Sequence, residues 1–131
     1  MTFLDRWAPQ LHAALRIIAA LLFMEHGLMK LFHFPAAQPG APSPLPTMLV
    51  VAAVIEVGGG ALIALGLFTR LAAFIAAGEM AVAYFMAHAP RGFWPALNMG
   101  EGAILFCFIF LFLAAAGPGA WSVDGMMRRK R

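Results

Sequence analysis

The sequence predicts an all-α, polytopic membrane protein: an antiparallel bundle of four transmembrane helices with both termini on the cytoplasmic side. Three observations predict it. Of 131 residues, 63% are hydrophobic and 11% charged, and the mean hydropathy is +0.84, which leaves too little polar surface to cover a soluble globule. The apolar residues fall into four runs, at about 11–32, 46–67, 71–89 and 100–117, each approaching the roughly 20 residues that cross a hydrocarbon core about 30 Å thick. Lysine and arginine gather at one set of run ends: Arg6, then Arg70, then Arg128, Arg129, Lys130 and Arg131. By the positive-inside rule those ends are cytoplasmic. The opposite loops, about 33–45 and 90–99, hold only Arg91, and Lys30 can snorkel outward. Residues 1–131 form one small domain on this reading.

The first run follows Arg6, as a signal peptide would, but it is too long and Glu25 and Lys30 interrupt its end. Pro35, Pro39, Pro42, Pro44 and Pro46 with Gly40 forbid helix in the next segment, which reads as a lid or a stiff connector. In the second run Gly58, Gly59 and Gly60 point either to close helix packing in lipid or to a kink that opens space beside Glu56. Residues 66–70, Gly-Leu-Phe-Thr-Arg, leave room only for a tight turn, making the second and third helices antiparallel neighbours. The fourth run holds the lone Cys107, which forms no intramolecular disulfide and reads as a packing residue. The basic tail is a topology determinant that also touches anionic lipid. With no basic face beyond it, nucleic acid is not an expected partner.

Each run carries one glutamate: Glu25, Glu56, Glu79 and Glu101. A charge at membrane depth costs upward of about 2.5 kcal/mol unless it is paired or hydrated. Counting about 1.5 Å per residue, Glu25, His26 and Lys30 fall in the outer half of the first helix, Glu101 at the outer start of the fourth, and Glu56 and Glu79 near mid-depth. His26 and Lys30 share a helix face, with His33 beyond, while Glu25 lies about 100° round from His26. His88, Arg91, Trp94 and Asn98 collect near the outer end of the third helix. A polar pocket in the outer half is therefore expected, drawn from Glu25, His26, Lys30, Glu56, Glu79, His88, Asn98 and Glu101.

Structural roles compete with it: a buried glutamate can pair with Lys30, Arg16 or Arg91, or sit protonated in a hydrogen bond. Carboxylates with His26 and His88 could ligate iron, manganese or zinc, yet no Glu-x-x-His pair is present, and no metal is expected. A haem between His26 and His88 is geometrically conceivable. Ser43 and Ser122 lie in loops without a triad or elbow signature.

Several stretches together resemble the DoxX family of small four-helix membrane proteins over about residues 13–124. They are His-Gly-Leu-Met-Lys at 26–30, Ile-Glu-Val-Gly-Gly-Gly at 55–60, Gly-Leu-Phe-Thr-Arg at 66–70, Phe-Trp-Pro at 93–95, Asn-Met-Gly-Glu at 98–101 and Gly-Pro-Gly-Ala-Trp-Ser-Val-Asp at 117–124. Gly27, Lys30, Glu56, Gly59, Arg70, Asn98, Glu101 and Asp124 stand at motif positions, and Met99 stands where many relatives have glycine.

The resemblance implies a multi-pass protein of a bacterial-type inner (plasma) membrane, among relatives linked to thiosulfate:quinone oxidoreductase, respiratory oxidase complexes, or quinone and oxidative-stress responses. It suggests a quinone-linked redox subunit or accessory, part of an oxidoreductase complex, with the bilayer, redox-complex subunits and further copies of the chain as partners. Quinone reduction consumes two electrons and two protons, and Glu25, His26 and Glu56 could relay protons in an apolar pocket. No motif binds flavin, iron–sulfur or nucleotide, so no intrinsic cofactor is expected beyond the quinone itself. Two other classes stand beside this one: a noncatalytic assembly or stability partner of a membrane complex, and a proton-coupled binding or transport protein for a small solute.

Overall fold

The computed structural model describes residues 2–130, which are helical with no strand among the described residues. After a 3₁₀ stretch at Phe3–Trp7, helix α1 spans Ala8–Phe32. Pro9 occupies its first turn, where the missing N–H is harmless, and His33 ends it in the left-handed conformation. The proline-rich segment follows, and α2 runs over Thr47–Leu65 until Gly66, at φ 72°, turns the chain. Helix α3 covers Thr69–Arg91, α4 Glu101–Ala116, and a short α5 Val123–Arg129. One helical turn at Pro95–Asn98 lies between α3 and α4.

Helices α2 and α3 are each long and apolar enough to cross a bilayer. Helix α1, at 25 residues, extends about 37 Å, whereas the 16 residues of α4 reach only about 24 Å, short of the fourth span that the apolar run suggests. α5 is an element the apolar runs do not announce.

Helix α1 packs along α2, and α3 packs along α4; the two pairs join through the middle and second half of α2. Their shared core is built largely from small residues, Ala19, Ala20, Ala72, Ala73, Ala76 and Ala77, around Phe23, Ile63, Met80, Phe110 and Leu113. Small side chains let backbones approach closely, which is how helices associate where lipid supplies no hydrophobic drive. The first half of α2 lies on α1 without comparable packing against α3. A gap therefore opens between the pairs at the end that carries the proline-rich segment, the loop end.

The outward surface is apolar, with Leu21, Leu22, Val51, Val54, Leu71, Phe74, Leu105 and Phe108 exposed, while Arg16, Glu56, Thr69, Asn98 and Ser122 are buried. Polar inside and apolar outside is the arrangement that lipid demands.

The glycine triplet divides between the two readings. A Cβ on Gly60 would lie 2.3 Å from Met24 Cγ and 3.1 Å from the Ala20 carbonyl oxygen, so Gly60 is a close-packing position, whereas a Cβ on Gly58 would meet nothing. Gly58 and Gly59 instead belong to a widened, π-helical turn, Ile55–Gly59, that carries Glu56.

At the opposite end, the tail end, Arg16 is wholly buried and donates to the carbonyls of Pro118, Ala120 (2.9 Å) and Trp121 (2.7 Å). Its partners are backbone oxygens, not a glutamate, so of the three cations offered for a buried glutamate, Lys30, Arg16 and Arg91, Arg16 is not the one that pairs. His12 Nε2 lies 3.1 Å from the Gly117 carbonyl oxygen. Asp124 accepts from the N–H groups of Phe68 (2.9 Å) and Thr69 (3.0 Å), capping the start of α3. Burial alone would raise its carboxyl, but those two N–H donors and the nearby Arg128 charge outweigh it and hold the group below the ordinary carboxylate range.

Candidate functional site

Three side chains meet at mid-height in the gap between the helix pairs. Gly27 brings α1 against the widened turn of α2: a Cβ there would sit 2.7 Å from Val57 Cγ2 and 2.8 Å from the Ala53 carbonyl oxygen. One turn on, Lys30 Nζ donates to both oxygens of Glu56, at 2.5 and 2.8 Å. The pair is desolvated, its side chains 9% and 1% exposed. Widened turns of this kind reposition one side chain without ending a helix, and they concentrate at functional sites.

Glu79, from α3, lies beside Glu56 and lines the same space. Its Oε2 is buried and has no donor among the described residues. Among the described residues the Lys30 ammonium is bonded to Glu56 alone, so a hydrogen bond between the Glu79 and Glu56 carboxyls requires a proton on one of them.

Above this cluster lies a cavity of about 800 Å³. All four long helices contribute to it, and Gln38–Pro42 of the proline-rich segment cover its loop end. Its walls are mainly apolar, including Met48, Leu49, Ile55, Ile75, Met80, Met86 and Phe106; its polar lining is His26, Lys30, Glu56, Glu79 and His88 with Gln38. The volume falls within the roughly 300–1,000 Å³ of small-molecule sites. His26 is held by Leu22, whose carbonyl oxygen is 3.0 Å from Nδ1, and stands edge-on to Phe106.

Of the eight residues the sequence proposes, five line this space: His26, Lys30, Glu56, Glu79 and His88. Glu25 and Glu101 are exposed and do not line it. Asn98 is buried behind the wall, donating to Tyr84 Oη (3.2 Å) and the Gly92 carbonyl (2.9 Å) and accepting from the Gly100 N–H (2.8 Å). Its own carbonyl oxygen is 3.0 Å from His88 Nδ1, so Asn98 orients a lining residue instead of lining the cavity. Among the described residues no three of His, Cys, Asp and Glu come together as a metal-binding group.

Sequence reasoning missed Tyr84, which Asn98 and His88 both approach, and the lining methionines Met48, Met80 and Met86. Methionine in an apolar run looks like lipid-facing surface, so no signal marked them. Met99 adopts φ 62°, ψ 22°, the left-handed region that favours glycine; that is the physical demand at the position where many relatives have glycine.

A family model, DoxX, matches residues 11–89, which include α1, α2 and the Lys30, Glu56 and Glu79 cluster. A protein of Haemophilus influenzae described as uncharacterized is 42% identical, over 99% of this chain and 100% of its own. Two Escherichia coli proteins are also similar: Inner membrane protein YqjF, 30% identical over 88% of this chain and 90% of its own, and Inner membrane protein YphA, 32% identical over 88% and 89%. No solved structure matches. A family model covering more than half of the sequence, and identity running the length of the Haemophilus protein, make this chain a member of the DoxX family of membrane proteins.

Proposed function

We propose that this protein binds a quinone-like lipophile in the cavity at its loop end and acts as a quinone-linked redox subunit or accessory of the inner membrane. In this reading its four long helices span the bilayer as an antiparallel bundle with both termini in the cytoplasm, the bilayer thinning locally to meet the shorter α4. Arg6, Arg70 and the Arg128–Lys130 tail, all at one end, support that orientation, and the names of the two Escherichia coli relatives support the inner membrane.

One observation carries the reading: a cavity of about 800 Å³ with apolar walls ends on the Lys30, Glu56 and Glu79 cluster. Apolar walls suit an isoprenoid-type body, and convergent polar groups suit a head that carries oxygens. The donor set fits. With one proton between Glu56 and Glu79 and the ammonium of Lys30, the cluster is neutral, which is the cheapest state for three ionisable groups out of water. Glu79 can release that proton toward a bound oxygen, while Lys30 stabilises the charge left on the carboxyl pair. His26, level with the cluster, and His88, near the loop end of α3, line the cavity and provide proton-carrying groups for resupply. The electrons come from a partner subunit or a diffusing donor.

The experiment is to purify the protein in mild detergent, extract its lipophiles and identify them by mass spectrometry, beside Glu79→Leu and an unrelated membrane protein of similar size. Quinone enriched with the wild type and depleted in the variant is the expected result. No quinone above the unrelated control overturns the proposal. The unpartnered Glu79 oxygen also favours a second reading, proton-coupled binding of a small solute, which pH-dependent uptake into proteoliposomes without any quinone would support.

A further inference from the structure

At the tail end a separate cleft of about 440 Å³ opens between the end of α4 and the C-terminal segment. Arg70, Arg128 and Arg129 line it, together with Ala116, Pro118 and Gly125. Arg70 places Nη1 on the carbonyls of Ala114 (3.1 Å) and Ala115; among the described residues its Nε and Nη2 have no hydrogen-bond partner. The side chains of Arg128 and Arg129 have none either, and the one ion pair among the described residues is Lys30–Glu56, at mid-height. Asp124, whose carboxylate feels the Arg128 charge, has its oxygens on the Phe68 and Thr69 N–H groups. Three arginines therefore line one space that no carboxylate among the described residues lines.

Level and surroundings say what anion belongs there. Arg70 is the second residue of α3 and Ala116 the last of α4, so the cleft lies at the end of two bilayer-crossing or bilayer-embedded helices, the height of lipid headgroups. Trp121, Met126 and Met127 of the same segment are exposed apolar groups, and an exposed tryptophan at a helix end is the usual membrane-interface anchor. Arginine matches phosphate oxygens in a bidentate fork.

We infer that this cleft binds the phosphate-bearing headgroup of an anionic phospholipid, held by Arg70, Arg128 and Arg129. Free phosphate shares the chemistry, but the apolar flank and the depth of the cleft favour the lipid.

The test is native mass spectrometry of the full chain with added phosphatidylglycerol or phosphatidylcholine of identical acyl chains. The wild type is expected to retain phosphatidylglycerol in preference, and R128Q/R129Q to bind it about thirtyfold more weakly, while R6Q/K130Q, with the same change in net charge, stays within about twofold of wild type. Arg70 also holds the end of α4, so the exposed pair carries the test, with circular dichroism confirming unchanged helix content. Equal weakening in R6Q/K130Q would reduce the effect to diffuse attraction and overturn the site. Equal retention of the two lipids would remove headgroup recognition, and displacement of phosphatidylglycerol by millimolar inorganic phosphate would reassign the cleft to free phosphate.

Discussion

Gly27 of α1 and Glu56 of α2 approach so closely that a Cβ on the glycine would lie 2.9 Å from the Glu56 Cβ. That approach sets the distance across which Lys30, one turn further along α1, reaches the Glu56 carboxylate. A glycine thereby controls an ion pair in which it takes no part.

Gly27→Ala should consequently destabilise the protein by about 1–3 kcal/mol, the usual range for overpacking. Among the atoms it strikes is the Ala53 carbonyl oxygen, and backbone does not move aside cheaply. Gly58→Ala puts the same methyl where nothing lies within 4 Å and should leave stability unchanged or slightly raised. Thermal unfolding in detergent checks the pair; equal melting temperatures for the two variants would contradict the packing account.

Lys30→Met strands a buried carboxylate and is expected to cost about 3–5 kcal/mol. Adding Glu56→Leu removes the stranded charge, so the double variant should recover most of that loss. Denaturant titrations of the two single variants and the double variant form the cycle. A double variant whose loss equals the sum of the two single losses would show that the two residues are not coupled.

How much of this was legible beforehand depends on the residue. The long helices follow from apolar runs, because run length alone limits what can cross lipid. Lys30–Glu56 stood among several pairings, and what selects it is the rotation of α1. Ala20, Phe23 and Gly27 turn one face of that helix inward, carrying Lys30 in and leaving Glu25 out. Charge pattern alone could not fix that rotation, since Glu25 and His26 are adjacent. Arg16 misled because an arginine within an apolar run suggests a carboxylate partner, whereas the carbonyls it binds lie about a hundred residues away. Helix α5 is seven residues long with Gly125 inside it, too short for periodicity to register; it forms on the Ser122 cap, whose Oγ accepts from Gly125 N–H at 3.0 Å, and on the Asp124 contacts.

Asp124 supplies a pH dependence with a definite sign. Its carboxyl lies below the ordinary range in the folded chain, so its contribution is complete at and above the usual carboxylate pKa of about 3.9 and disappears as pH falls through the lower, folded value. The stability difference between wild type and Asp124→Asn should therefore stay constant from pH 7 to about 4.5 and shrink only under stronger acid. Hydrogen exchange at Phe68 and Thr69, whose N–H groups the carboxylate holds, reports the same release locally. A difference that fades near pH 6 would assign the dependence to another group.

Arg16 ties the tail to the membrane helices, and its loss should uncouple the two ends of the molecule. Lysine carries a compact ammonium that cannot span three separate carbonyls as the guanidinium does. Arg16→Lys should cost on the order of 2 kcal/mol, because buried carbonyl oxygens lose their donors. Hydrogen exchange should rise across residues 117–124 while Lys30 and Glu56 remain paired. The cleft lined by Arg70, Arg128 and Arg129 depends on that segment staying docked, whereas the cavity above Glu79 shares no lining residue with it. Retention of anionic phospholipid should fall in Arg16→Lys with retention of the cavity lipophile unchanged. Parallel loss of both would show one cooperative unit in place of two separable sites.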